Sequence, residues 1–195
     1  LIVSTTHGKL AGVEAGGVRY FRGIPYAAPP TGKLRFRPPE PHGGWTGVRP
    51  AHAQAPIPPQ MPSRLRNVLG DYALPQSEDC LTLDITTPSL GRNNGSAPVL
   101  VWLYGGAFVT GGTAVPWYDG TSFARRHGIV FVSLNYRLGA LGFLSHPELG
   151  PGNAGLHDQF TALQWVKENI AEFGGDPDKI TLAGQSAGAI SIFAL

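Results

Sequence analysis

The rhythm of apolar positions along this chain changes near residue 80. Before that point apolar residues alternate in short runs, residues 1–6, 9–14 and 18–22, separated by glycine. A period of two predicts strands, and the glycine breaks predict a small antiparallel meander. Residues 23–32 hold Pro25, Pro29 and Pro30, which argue against a helix or a central strand, so an ordered loop is expected there. Trp45 is expected to pack as a surface anchor. Residues 51–76 are irregular, with prolines at 56, 58, 59, 62 and 75 and with Leu65, Leu69 and Tyr72 at helical spacing. Such a stretch is either a plain surface loop or a lid or wall over a site.

After residue 80 the pattern is that of an α/β protein. Residues 80–87 alternate as a strand. Residues 98–103 and 129–134 are continuous apolar runs, the mark of strands covered on both faces. Residues 121–127 predict a short helix, and residues 153–173 a long one. In the long helix Leu156, Phe160, Leu163, Val166 and Ile170 recur at steps of three and four and are expected to face inward. Gly174-Gly175 ends it, Asp176-Pro177 turns the chain, and residues 179–183 form the next strand. Strands that alternate with helices predict right-handed crossovers and a parallel sheet.

Composition removes several function classes. The chain has 195 residues and a formal net charge of +2, so it can bury a core as one domain. Arg35 and Arg37, Arg64 and Arg66, and Arg125 and Arg126 come in pairs, not in a basic stripe interleaved with aromatics, which argues against nucleic acid as a partner. No apolar run is long enough for a membrane span. Cys80 is the only cysteine. It predicts a buried, inert thiol, no internal disulfide and no metal site. Leu1 stands where a start methionine is expected, and residues 191–195 read as a helix with no stop signal. Both features predict a piece of a longer chain.

The candidate chemistry sits near the end. Gly184-Gln185-Ser186-Ala187-Gly188 reads Gly-x-Ser-x-Gly between a β-branched run and an apolar helix start, the context of a nucleophile elbow. Ser186 is the candidate nucleophile. An acyl-transfer serine also needs donors for the oxyanion. Gly105-Gly106-Ala107, directly after a buried strand, is the candidate loop for them, with the N–H of Ala187 as a further donor. A base is missing. In this architecture acid and histidine follow the serine, yet all six histidines (7, 42, 52, 127, 146 and 157) precede it. His157 reads as a helix-surface residue, His127 as a helix end, His146 as a turn residue, and His7, His42 and His52 as solvated loop residues. The acid and base are expected beyond Leu195. Nothing calls for a cofactor.

At this point the residues resemble a known family. Phe21-Arg22-Gly23-Ile24-Pro25-Tyr26-Ala27, residues 29–36, Ser77-Glu78-Asp79-Cys80-Leu81, residues 102–108 and residues 133–139 carry the resemblance. So do residues 153–159, residues 173–177 and the elbow. The chain is similar to the N-terminal part of a type-B carboxylesterase, the group of the cholinesterases and the bacterial para-nitrobenzyl-type esterases. The resemblance implies an α/β-hydrolase fold, here a small meander followed by the first strands of the main sheet up to the elbow. It implies ester hydrolysis through an acyl-enzyme at Ser186, with the N–H groups of Gly106, Ala107 and Ala187 as the oxyanion donors, a small-molecule ester as substrate, and the C-terminal remainder of the enzyme as partner. It implies two structural ion pairs, Arg35 with Glu78 and Arg137 with Asp158.

Three departures qualify it. Ala107 replaces a glycine common in the eukaryotic members but keeps its N–H. Gln185 stands where cholinesterases carry glutamate. Cys80 sits where secreted animal members pair with an upstream cysteine, replaced here by Pro58, so the compartment need not be oxidising; a bacterial cytoplasm fits and secretion stays open. Phe108, Trp117, Tyr118, Leu65 and Leu69 stand as candidates for the near wall of a pocket, with ordinary packing as the equal alternative. The rival readings are an adhesion or binding protein on the same fold and an inactive fragment.

Overall fold

The computed structural model describes residues 1–64, 66–88 and 96–195, with the side chain of Leu69 excluded. The wall positions expected of Leu65 and of the Leu69 side chain therefore lie outside the described residues. Alternating runs at the start form β1 (Ile2–Thr5) and β2 (Gly8–Ala11), an antiparallel pair, then β3 (Val13–Ala15) and β4 (Val18–Pro25). They are not one meander. Gly12 divides the second run, and β3 and β4 enter a different sheet. The first sheet is completed by β5 (Val48–Pro50), parallel to β2, which no alternation in the sequence announces. The second sheet has six strands in the order β3-β4-β6-β8-β7-β9, where β6 is Thr82–Pro88, β7 Ala97–Leu103, β8 Val130–Leu134 and β9 Gly175–Gly184.

This sheet is mixed, not parallel throughout. β8, β7 and β9 run parallel, whereas β3, β4, β6 and β8 are linked antiparallel. The crossovers through α2 (Thr121–His127) and through α4 (Ala154–Asn169) build only the parallel half. β8 lies inside the sheet and all five of its residues are buried. Val130, Val132 and Leu134 are each fully covered, and burying one such side chain stabilises by about 1.5–3 kcal/mol.

The strand β4 runs through Gly23 to Pro25, where a loop was expected. A bulge between Phe21 and Ile24 makes this possible. The bulge frees backbone donors, and Asp84 on the neighbouring β6 accepts from the Gly23 N–H at 2.7 Å. Pro25 is the last residue of the strand, so its missing N–H breaks no longer ladder. Burial pushes the Asp84 carboxyl up, and the bond from Gly23 pulls the other way.

Helix α4 has the expected extent, and a 3-10 turn continues it over Ile170–Phe173. Its buried face is the expected one only in part. Val166 and Ile170 are fully buried and Leu163 packs partly buried against the core, but Phe160 is 50% exposed, and Ala154, Gly155, Asp158, Gln159, Ala162, Trp165 and Asn169 also face inward. Two physical demands rotate the helix. Asp158 must meet Arg137, and Gly155 must approach the Arg137 carbonyl so closely that a Cβ would lie 2.6 Å from its oxygen. Close packing and a buried charge pair outweigh the apolar stripe.

The remaining helices are short: α1 (Arg66–Leu69), α3 (Gly139–Phe143) and α5 (Ala187–Ala194). Trp45 packs partly buried against the core and donates its indole N–H to the Lys9 carbonyl at 2.7 Å. Cys80 is free and buried, and burial pushes its thiol up. Among the described residues no helix is long and apolar enough to cross a membrane.

Candidate active site

The two parallel neighbours β7 and β9 end at the same level, with Leu103 paired to Gly184. The loops that leave the two strand ends therefore meet. Tyr104-Gly105-Gly106-Ala107 leaves β7, and Gln185-Ser186 leaves β9 before α5 begins at Ala187. Crevices outside the carboxyl ends of parallel strands are where α/β sheets bind ligands.

Ser186 caps α5 with φ 53° and ψ −120°, and it is exposed. A non-glycine residue in that region costs about 1–3 kcal/mol and persists only where its surroundings enforce it. They do so here. A Cβ at Gly184 would lie 2.6 Å from the Gly188 carbonyl carbon, and one at Gly188 would run into the Leu103 carbonyl of β7. The turn is tight because the helix start is pressed against both strand ends. The Gly188 N–H donates to the Gln185 carbonyl at 3.0 Å and closes it.

The glycine loop lies against this turn. A Cβ at Gly105 would sit 3.0 Å from the Ser186 Cβ and would touch the Gln185 side-chain oxygen. Ala107 and Phe108 have φ of 54° and 62°. With Ser186, they make three of the five non-glycine residues at positive φ among the described residues. Strain of this kind gathers at functional sites. The N–H groups of Gly106, Ala107 and Ala187 have no acceptor among the described residues. Gly106 is half-buried, Ala107 is exposed and Ala187 opens a helix, whose first N–H groups have no intrahelical acceptor, so all three donors are free for a ligand.

The base of the loop is rigid. Tyr104 stacks on Tyr136 with ring centroids 4.6 Å apart and interplanar angle 15°. The Tyr136 hydroxyl donates to the Tyr104 carbonyl at 2.9 Å, and the Tyr104 hydroxyl donates to the Tyr136 carbonyl at 3.3 Å. Tyr118 also stacks against Tyr104. Tyr118 thus packs partly buried against the core. Trp117 is 62% exposed and donates to the Tyr72 hydroxyl at 3.1 Å. Phe108 lines an apolar cleft of about 660 Å³ bounded by Ala107, Phe108, Phe143, Leu156 and Ile190.

Both expected ion pairs form. Arg137 and Asp158 are buried together, at 2% and 0% exposure. Arg35 meets Glu78 through two bonds of 2.6 and 2.8 Å, but this pair is partly open to water. The 51–76 segment is tied at its neck, with the Ile57 N–H on the Pro75 carbonyl and the Ser77 N–H on the Ile57 carbonyl, at 2.9 and 3.0 Å. It packs alongside the glycine loop even without a disulfide, through Gln60, a residue that belongs to no motif and no periodic pattern.

No histidine among the described residues bonds the Ser186 hydroxyl. His52, His127 and His157 are exposed. His146 accepts from the Glu148 N–H in its turn. His42 accepts from the Gly44 N–H at 2.9 Å. His7 is not a solvated loop residue as expected; its Nδ1 accepts the indole N–H of Trp165 at 3.0 Å. That contact joins residues 158 positions apart and leaves no local pattern. Among the described residues no cluster could hold a metal ion.

The carboxylesterase family model matches residues 1–195. Phenmedipham hydrolase of Pseudarthrobacter oxydans is 50% identical over 196 residues, which is 100% of this chain and 39% of that protein. Para-nitrobenzyl esterase of Bacillus subtilis (strain 168) is 47% identical over 197 residues, 100% of this chain and 40% of that protein. The solved structure of a PNB esterase superposes with a TM-score of 0.91 at 47% identity, covering 98% of this chain and 39% of that one. The chain thus spans about 40% of the length of these relatives.

Proposed function

The chain belongs to the carboxylesterase family and has its α/β-hydrolase fold, and on that premise we propose that it carries the nucleophile half of a serine esterase. Ser186 attacks the carbonyl carbon of a small-molecule carboxylic ester, and a base takes the hydroxyl proton. The negative charge that develops on the carbonyl oxygen is held by the N–H groups of Gly106, Ala107 and Ala187. The tetrahedral species collapses, the C–O bond to the alcohol breaks, and the alcohol leaves with the proton. Water, deprotonated by the same base, then splits the acyl-serine ester to acid and free Ser186. Acid and base come from a part of the catalytic domain beyond residue 195, which joins this chain in a single domain.

One observation carries the reading. A serine held at φ 53° at a helix start touches a loop whose N–H groups have no acceptor among the described residues. Such donors cost no reorganisation when the oxyanion forms, and each is worth roughly 3 kcal/mol in known cases. The names of the relatives, a hydrolase and an esterase, support the same chemistry. In the complete protein an organophosphate is expected to label Ser186, and Ser186→Ala to abolish hydrolysis of a p-nitrophenyl ester. Full activity in that variant would refute the assignment.

A further inference from the structure

The loop bearing Gly106 and Ala107 is an arch with two feet. One foot, Tyr104-Gly105, continues β7 and is locked by the Tyr104–Tyr136 pair. The span is closed by the Val109 and Thr110 N–H groups, which both donate to the Gly106 carbonyl, at 3.0 and 3.1 Å. The other foot is Gly111, next to Thr110. A Cβ there would lie 2.9 Å from the Gly105 carbonyl oxygen, so the two feet nearly touch.

Gly111 is held by a residue from a different part of the chain. The Gln60 side chain donates from Nε2 to the Gly111 carbonyl at 2.6 Å and accepts the Gly111 N–H on Oε1 at 2.8 Å. A carboxamide matches a peptide group in this way, one donor and one acceptor at once. Its second Nε2 hydrogen goes to the Pro58 carbonyl at 3.0 Å, and the Gln60 N–H donates to Gln76 Oε1 at 2.8 Å. Gln60 is thereby fixed to the neck of the 51–76 segment, and that neck is closed by the Ile57, Pro75 and Ser77 backbone bonds. The chain of bonds runs Gln60, Gly111, Thr110, Gly106, and ends at the donors proposed for the oxyanion.

We propose that Gln60 is a positioning residue that fixes the far foot of this arch and so sets the placement of the Gly106 and Ala107 N–H groups relative to Ser186. The inference rests on the proposed function. A displacement of about 1 Å in catalytic geometry can cost on the order of 100-fold in rate. Oxyanion donors act on the transition state more than on the bound ester, so the loss falls on kcat.

The test uses the complete protein with Gln60→Glu and Gln60→Ala. Glutamate keeps the shape but removes the Nε2 donor and places a charge against two carbonyl oxygens. In both variants kcat for a p-nitrophenyl ester is expected to fall roughly 10- to 100-fold, with KM changed less than about threefold. A trifluoromethyl ketone, which adds to a serine to form a hemiketal oxyanion, is expected to bind more weakly by the same factor. A purely structural role would lower the melting temperature but leave kcat per folded molecule and ketone affinity as in the wild type. That result, or a kcat within threefold of wild type in both folded variants, overturns the proposal. Failure of the underlying reading is seen separately, as a wild type inactive on esters or an active Ser186→Ala variant.

Discussion

Asparagine at position 158 would remove one negative charge from a place with almost no water. Asp158 accepts three hydrogen bonds from Arg137: 2.8 Å from Nε, 2.6 Å from Nη2 and 3.0 Å from the backbone N–H. Burial pushes the carboxyl up, and the Arg137 bonds and charge pull the other way. Asparagine has a single acceptor oxygen, and its NH2 group would face the guanidinium with donor against donor. Arg137 would stay charged and buried, and its Nη1 already has no partner among the described residues. Breaking one side of a buried pair costs about 3–5 kcal/mol, whereas replacing both partners by apolar groups of similar volume is often neutral. Asp158→Asn is therefore expected to lose about 3–5 kcal/mol, and Arg137→Met/Asp158→Leu distinctly less.

Urea denaturation of the complete protein, followed by tryptophan fluorescence, measures both. A single variant within about 1 kcal/mol of wild type would show that the charge is solvated or the pair dispensable. A double variant worse than the single would show that the pair itself, not the orphaned charge, carries the stability. Either result refutes the reasoning.

Two other outcomes come from the packing. Gly188→Ala drives a methyl group into the Leu103 carbonyl of β7, a backbone atom that cannot turn aside; a loss of about 2 kcal/mol or more is expected from such overpacking, read as a lower melting temperature together with a lower kcat. Acidification should loosen the first sheet from α4: burial lowers the pKa of His7, with Glu168 opposing, while His42, lowered by burial and by His7 and Arg49 and raised by Asp79, lies 5.8 Å away between ring centroids. Because the folded pKa lies below the unfolded value of about 6.5, this stabilisation is complete above that pH and is lost as pH falls through it toward the folded pKa. The urea midpoint should drop between about pH 7.5 and 5 more steeply in wild type than in His7→Gln, and an NMR titration placing His7 at or above about 6.5 would contradict the geometry.

The strands after residue 80 were legible because their apolar or alternating runs are long, and in β8 every residue is buried. The Gly-x-Ser-x-Gly spacing also placed the elbow, and the family resemblance both ion pairs. The first half resisted for a physical reason: apart from β4 its strands are three or four residues long, and a break such as Gly12 does not say whether the chain stays in one sheet or crosses to another. The bulge that carries β4 through Gly23 to Pro25 depends on Asp84 from a strand far along the chain, so residues 18–25 hold no sign of it. In α4 the apolar stripe named Val166 and Ile170 rightly but misplaced Phe160, since Gly155 and Asp158 had the contacts that decide how the helix is rotated. Gln60 and His7 share the same obstacle. Each acts through bonds to a distant backbone or indole group, and a single polar residue in a loop has no period to betray it.

The meeting of the two loops at Ser186 depends on register. Ala97 pairs with Gly175 and Val99 with Ile180, so two steps along β7 match five along β9, and β9 carries three extra residues. They are taken up at the start of the strand, around Asp176-Pro177-Asp178, where the Asp178 N–H donates to Asp176 Oδ1 at 3.0 Å and Lys179 pairs with Asp176 at 2.9 Å. Beyond that irregularity the pairing is continuous from Val99 to Leu103, and it brings Gly184 level with Leu103. A slip of one residue would turn every side chain of β9 to the opposite face and shift the serine by about 3.3 Å along the strand. The partly exposed turn at residues 176–178, which holds no candidate chemistry, therefore helps decide whether Ser186 lies beside Gly105 at all.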